Sequence, residues 1–149
     1  MKPITTEKNR GAFLPLVLGT FSFVVCFAAW GLISSFAPRF RQMFHLTGTQ
    51  TALLVAVPVI LGALARLPMG MLADLFGGRA VFSVLMLVAA IPPLWAAATS
   101  SYTMLIVAAL FLGLAGSSFA VGVGFVSRWY PPQKQGMALG VYGLGNIGQ

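Results

Sequence analysis

Four long apolar runs, separated by short polar loops, constrain this chain more than any other feature. They extend from about Phe13 to Phe36, Thr51 to Ala73, Ala80 to Ala98 and Thr103 to Ser127. A hydrocarbon core about 30 Å thick needs about 20 residues of helix, and each run meets or approaches that length. The chain is therefore expected to be an all-α membrane protein in which each run is one span. A fifth run starts near Gly136 and reaches only Gln149, about half a span, so the chain is expected to be cut within a fifth helix.

Apolar residues make up 58% of the chain and charged residues 7%, a balance suited to a lipid bilayer rather than to water. The net charge of +7 does not indicate nucleic acid, because the basic residues stand singly at loop ends and build no basic face. Cys26 is alone, which excludes an intrachain disulfide framework and a cysteine metal cluster. His45 is alone beside Phe44 and reads as a solvated or interfacial side chain; no metal site and no cofactor are expected. Lys2, Lys8 and Arg10 precede the first run, but that run exceeds the 7 to 15 residues of a secretion signal and three more follow, so it reads as a retained helix.

Charge placement sets an expected orientation. With the N-terminus in the cytoplasm, Lys2, Lys8, Arg10, Arg79, Arg128 and Lys134 fall inside, and only Arg39 and Arg41 fall outside. Trp30, Trp95, Tyr102, Trp129 and Tyr130 are expected in the headgroup layers. Pro38 is expected to stop the first helix, and Pro58, Pro68, Pro92 and Pro93 to kink the second and third. Gly113, Ser117, Ala120 and Gly124 form a small-residue seam for close helix contact, and Gly136, Gly140 and Gly143 begin another.

Arg66 breaks the pattern. It lies deep in the second run with no acid at its depth, where an ionised side chain costs about 2.5 to 3.5 kcal/mol on insertion scales. A small anion is the natural partner of such a cation; the alternative is bonding to backbone carbonyls freed by Pro58 and Pro68. A planar guanidinium fork also matches a planar oxyanion through two parallel hydrogen bonds, which lysine cannot do. No Asp, Glu or His lies at membrane depth in this half, so no carboxylate proton relay is visible in it and cation carriers are disfavoured.

Between the second and third runs the chain reads Gly70-Met-Leu-Ala-Asp74-Leu-Phe-Gly77-Gly78-Arg79. Glycines permit a tight turn, Asp74 supplies an acceptor and Arg79 a donor, so the segment suits a latch between helices. The pattern G-x-x-x-D-x-x-G-x-R resembles the loop signature of the major facilitator superfamily at every position. Within it, Ala56 to Gly70, Gly113 to Gly122 and Trp129 to Gly148 resemble, in order, the second, fourth and fifth helices of the nitrate/nitrite porters. This resemblance implies an N-terminal helical bundle, a single central anion site and a second six-helix half beyond this chain. It also implies that Arg66 binds the anion, that Phe119 packs against it and that Asn146 lines the same cavity. Plain helix packing is the alternative for Phe119, and an interhelical hydrogen bond explains Asn146 equally well.

At about 1.5 Å per residue, Arg66 lies about 12 Å from Asp74, Phe119 about 13 Å from Arg128 and Asn146 about 15 Å from Gly136, near half the hydrocarbon depth. Gly143-Leu-Gly145-Asn-Ile-Gly148 matches G-x-G-x-x-G, yet no strand precedes it, so it is not read as a nucleotide site. The expected function is transport of nitrate or nitrite, without catalysis, in nitrate assimilation across a bacterial inner membrane. A carrier of another small anion, such as a carboxylate, and a nitrate sensor on a carrier fold remain open. A proton-driven drug exporter fits less well, because the fourth run has no arginine or acid before its glycines.

Overall fold

The computed structural model describes residues 11–149, so Lys2, Lys8 and Arg10, which carry part of the orientation argument, lie outside the described residues. The described residues form helices α1 (Phe13–Met43), α2 (Gly48–Phe76), α3 (Gly78–Ala98), α4 (Tyr102–Leu112), α5 (Ser118–Ser127) and α6 (Pro132–Gly143). Two 3-10 turns, Gly113–Ser117 and Leu144–Gly148, join α4 to α5 and follow α6. Four helical stretches are long and apolar enough to cross a membrane: α1, α2, α3 and the α4–α5 unit Tyr102–Ser127. The fold is an all-α membrane bundle.

The helices outrun the apolar segments. Pro38 does not end α1, which continues to Met43. A proline removes one backbone hydrogen bond and kinks a helix, but packing on both sides can carry the helix through it. Ala37 is buried on the near side of Pro38 and Phe40 packs into the core beyond it. Closure comes instead at His45, whose left-handed backbone (φ 50°) follows the cap residue Phe44 while the Leu46 amide bonds back to the Arg41 carbonyl at 3.0 Å. This is the usual geometry for ending a helix, with histidine in the place glycine normally takes. Trp30 lies well inside α1, which extends to Met43, and faces the bundle. Its indole packs against the core, and its Nε1 donates to the Pro58 carbonyl at 3.5 Å.

Thr47 begins α2 with a reciprocal cap: its hydroxyl accepts from the Gln50 amide at 3.3 Å, and the Thr47 amide donates to the Gln50 side chain at 2.9 Å. Gly77 alone separates α2 from α3. Its φ of 86° suits glycine, and a Cβ on the next residue, Gly78, would lie 2.8 Å from the Phe125 Cβ. The two glycines of this turn thus answer two different demands, backbone conformation and close packing.

The α4–α5 span is the most enclosed and runs parallel to α2. A Cβ on Gly62 would come 2.9 Å from the Gly113 carbonyl oxygen, and one on Gly113 would come 2.6 Å from the Pro58 carbonyl oxygen. Backbone-to-backbone approach of this kind is what small residues provide where lipid supplies no hydrophobic drive. Three apolar clusters result. One holds Phe23, Ala73, Phe82, Val126 and Tyr142; a second, toward the opposite end, holds Ile33, Leu54, Ala96, Leu105 and Leu112; a small third holds Cys26, Ala89 and Ala115.

Candidate anion site

Helix α2 divides into three faces that position Arg66. Leu54, Pro58, Gly62, Ala65 and Ala73 are buried against the bundle. Leu53, Ile60, Leu64, Leu67, Met71 and Leu75 make a stripe of large exposed apolar side chains, the composition that lipid favours. Between these, at helical spacing, run Ala52, Val59, Ala63, Arg66 and Gly70. Arg66 therefore has small residues, Ala63 and Gly70, as its neighbours one turn away on this row. It is exposed and makes no ion pair or side-chain hydrogen bond among the described residues, so neither carbonyl freed by Pro58 or Pro68 engages it.

Register along the two parallel helices sets the level of its neighbours. Residues 54 apart in sequence meet at Asp74 and Arg128, and Gly62 faces Gly116 at the same offset. Arg66 is thus level with Ala120, one residue from Phe119. Phe119 retains 37% exposure, and its ring lies 5.6 Å from Phe23 and 6.1 Å from Tyr142. Asn146 is exposed within the second 3-10 turn, one turn beyond Tyr142, and its side-chain amide bonds to no group among the described residues. The three residues do not contact one another through any hydrogen bond or ring stacking. Each presents an open side chain within about one turn of the same depth.

The 3-10 turns are features that residue patterns missed. One directly precedes α5 and Phe119, and the other contains Asn146. Segments of this tighter helix within a longer helix recur at functional hinges, and the runs Gly113-Leu-Ala-Gly-Ser and Leu144-Gly-Asn-Ile-Gly, rich in small residues, are the signal that could have found them.

The loop residues resolve differently from their spacing. Asp74 accepts from the Arg128 guanidinium at 2.8 Å, while Arg79 makes no ion pair among the described residues. Arg79 instead borders a cleft of about 470 Å³ with Leu14, Phe82, Phe125 and Trp129, and its carbonyl accepts from the Ser83 hydroxyl at 3.0 Å. Gly70 has nothing within 4 Å of a Cβ position, so close packing does not require glycine there. The partner of Asp74 was visible in sequence only as one basic residue among several at span ends.

Four apolar helices long enough to cross a membrane, with an arginine in the second that makes no ion pair among the described residues and an Asp74–Arg128 pair at one end, define a multi-pass membrane protein. The family model of the Major Facilitator Superfamily matches residues 19–148, and the chain belongs to that superfamily. It is 42% identical over 142 residues to a Mycobacterium tuberculosis protein named "Probable nitrate/nitrite transporter NarK2", covering 93% of this chain and 36% of the relative. It is 39% identical over 147 residues to the Thermus thermophilus "Probable nitrate/nitrite antiporter NarK1", covering 98% of this chain and 33% of that protein. A Staphylococcus aureus protein named "Probable nitrate transporter NarT" is 38% identical over 141 residues, covering 95% of this chain and 36% of the relative. The chain spans about a third of the length of these relatives.

Proposed function

We propose that this chain forms part of a carrier that moves nitrate or nitrite across a bacterial cell membrane by alternating access, with Arg66 as the anion-binding cation. The observation that carries this reading is the position of Arg66: deep in α2, among small residues, level with Phe119 and without a protein partner among the described residues. A guanidinium kept at such depth gains most from an anion that accepts two parallel hydrogen bonds. Phe119 offers a flat face beside it, and Asn146 a free amide about one turn away. The names of the relatives favour nitrate and nitrite over carboxylates.

The remaining assignments belong to the same reading. The carrier has no catalytic step and needs no cofactor, and a further half completes the pathway. The N-terminus and the Asp74 turn lie on the cytoplasmic side. Gly70, Asp74, Gly77 and Arg79 form part of a conformational latch, to which Arg128 is added as the ion-pair partner of Asp74. Counterflow of labelled nitrate into vesicles holding the complete carrier tests the function. Exchange that depends on internal unlabelled nitrate or nitrite supports a carrier; nitrate binding without exchange identifies a sensor and rejects transport.

A further inference from the structure

We propose that Tyr142 is a positioning residue of the anion site: it clamps α6 to the α4–α5 span and, with Phe23, holds the ring of Phe119 toward the bound anion. The proposal rests on the functional reading above. Tyr142 is fully buried, and its hydroxyl donates to the Ser118 carbonyl at 3.0 Å. Ser118 stands directly after the 3-10 turn Gly113–Ser117 and directly before Phe119, so the bond pins the backbone at the residue that launches the aromatic side chain.

Three further observations converge on this clamp. Gly122 leaves the space that the Tyr142 phenol occupies, since a Cβ there would collide with the hydroxyl and the ring. The Tyr142 ring stacks on Phe23 with centroids 4.8 Å apart and planes at 19°. Phe119 touches both of these rings while 37% of it stays exposed. The Phe119 ring is therefore restrained by two buried aromatics while more than a third of the residue stays exposed. A ring restrained in this way loses little further freedom when an anion arrives, which is how preorganisation favours binding. Packing alone would be met by phenylalanine at position 142, because a phenol in hydrocarbon must find an acceptor to avoid a desolvation cost. The hydroxyl adds direction to the contact as well as volume.

The test uses the complete carrier in proteoliposomes, with nitrate KM and Vmax measured for Tyr142→Phe, Tyr142→Leu, Phe119→Leu and the two double variants with Phe119→Leu. Tyr142→Phe keeps the ring and so protects the fold while removing the tether. It is expected to raise KM roughly two- to fivefold, and Tyr142→Leu roughly tenfold, within the range an aromatic contact contributes. Vmax per folded carrier is expected to stay within about twofold. In the Phe119→Leu background both effects on KM are expected to vanish, because the ring being positioned is gone. Equal KM effects with and without Phe119, or an unchanged KM in both Tyr142 variants, would overturn the proposal. A wild-type carrier that exchanges neither nitrate nor nitrite rejects the functional reading itself and the proposal with it, a result distinct from either of those.

Discussion

Asp74, near the end of α2, and Arg128, just beyond α5, are joined by a 2.8 Å ion pair that ties together the two parallel spans carrying Arg66 and Phe119. The side chains keep 73% and 53% exposure, so solvent screening limits the pair to about 1 kcal/mol or less. A contact of that size cannot hold the bundle together, yet it can bias two conformations that differ little in energy. Asp74→Asn and Arg128→Gln are each expected to change Vmax by about fivefold at most and leave nitrate KM nearly unchanged. Uptake kinetics check this, and the exchanged pair Asp74→Arg with Arg128→Asp should recover part of the lost rate. A large KM change would place these residues in the anion site instead.

Arg66→Lys keeps the charge and loses the planar fork. Nitrate KM is expected to rise roughly tenfold or more, the value of a charge-assisted hydrogen bond that lysine cannot duplicate. Near-native affinity in the lysine variant would mean that charge alone is recognised.

Glycines that look alike in sequence should respond differently to alanine. A Cβ on Gly113 would lie 2.6 Å from the Pro58 carbonyl oxygen, whereas Gly70 has nothing within 4 Å. Gly113→Ala is expected to destabilise the bundle by about 1 to 3 kcal/mol through overpacking, and Gly70→Ala to leave thermal unfolding in detergent nearly unchanged. Loss of transport without loss of stability in Gly70→Ala would locate the need for glycine in another conformation of the carrier.

Recognition by shape has its own signature. With planar donors from Arg66 and a flat face from Phe119 at one depth, nitrate and bent nitrite are expected to compete for one site, and chloride and sulfate are not. Competition assays decide this; chloride inhibition at concentrations comparable to nitrite would leave a generic anion pathway.

Orientation can be read by cysteine labelling at Ser100 and Lys134, since Cys26 is buried and contributes little background. Ser100 is expected to react from outside and Lys134 only after the membrane is opened. Equal reaction of both from outside would reverse the placement of the charged loops.

Residue order by itself determined the spans, their number and the exceptional position of Arg66, because membrane insertion is governed by length and apolar content, both of which are local quantities. The loop spacing Gly70 to Arg79 and the blocks around Arg66, Phe119 and Asn146 likewise sufficed to point to the superfamily. Tertiary structure alone decided who meets whom. Asp74 chose Arg128 over the nearer Arg79 because α2 and α5 run in parallel register to the same end. Trp30 meets the Pro58 carbonyl of α2 because α1 and α2 pack together, which brings the indole against α2. Tyr142 meets Phe119 and the Ser118 carbonyl because the notch at Gly122 admits its ring, and such a fit depends on two helices brought together by the fold.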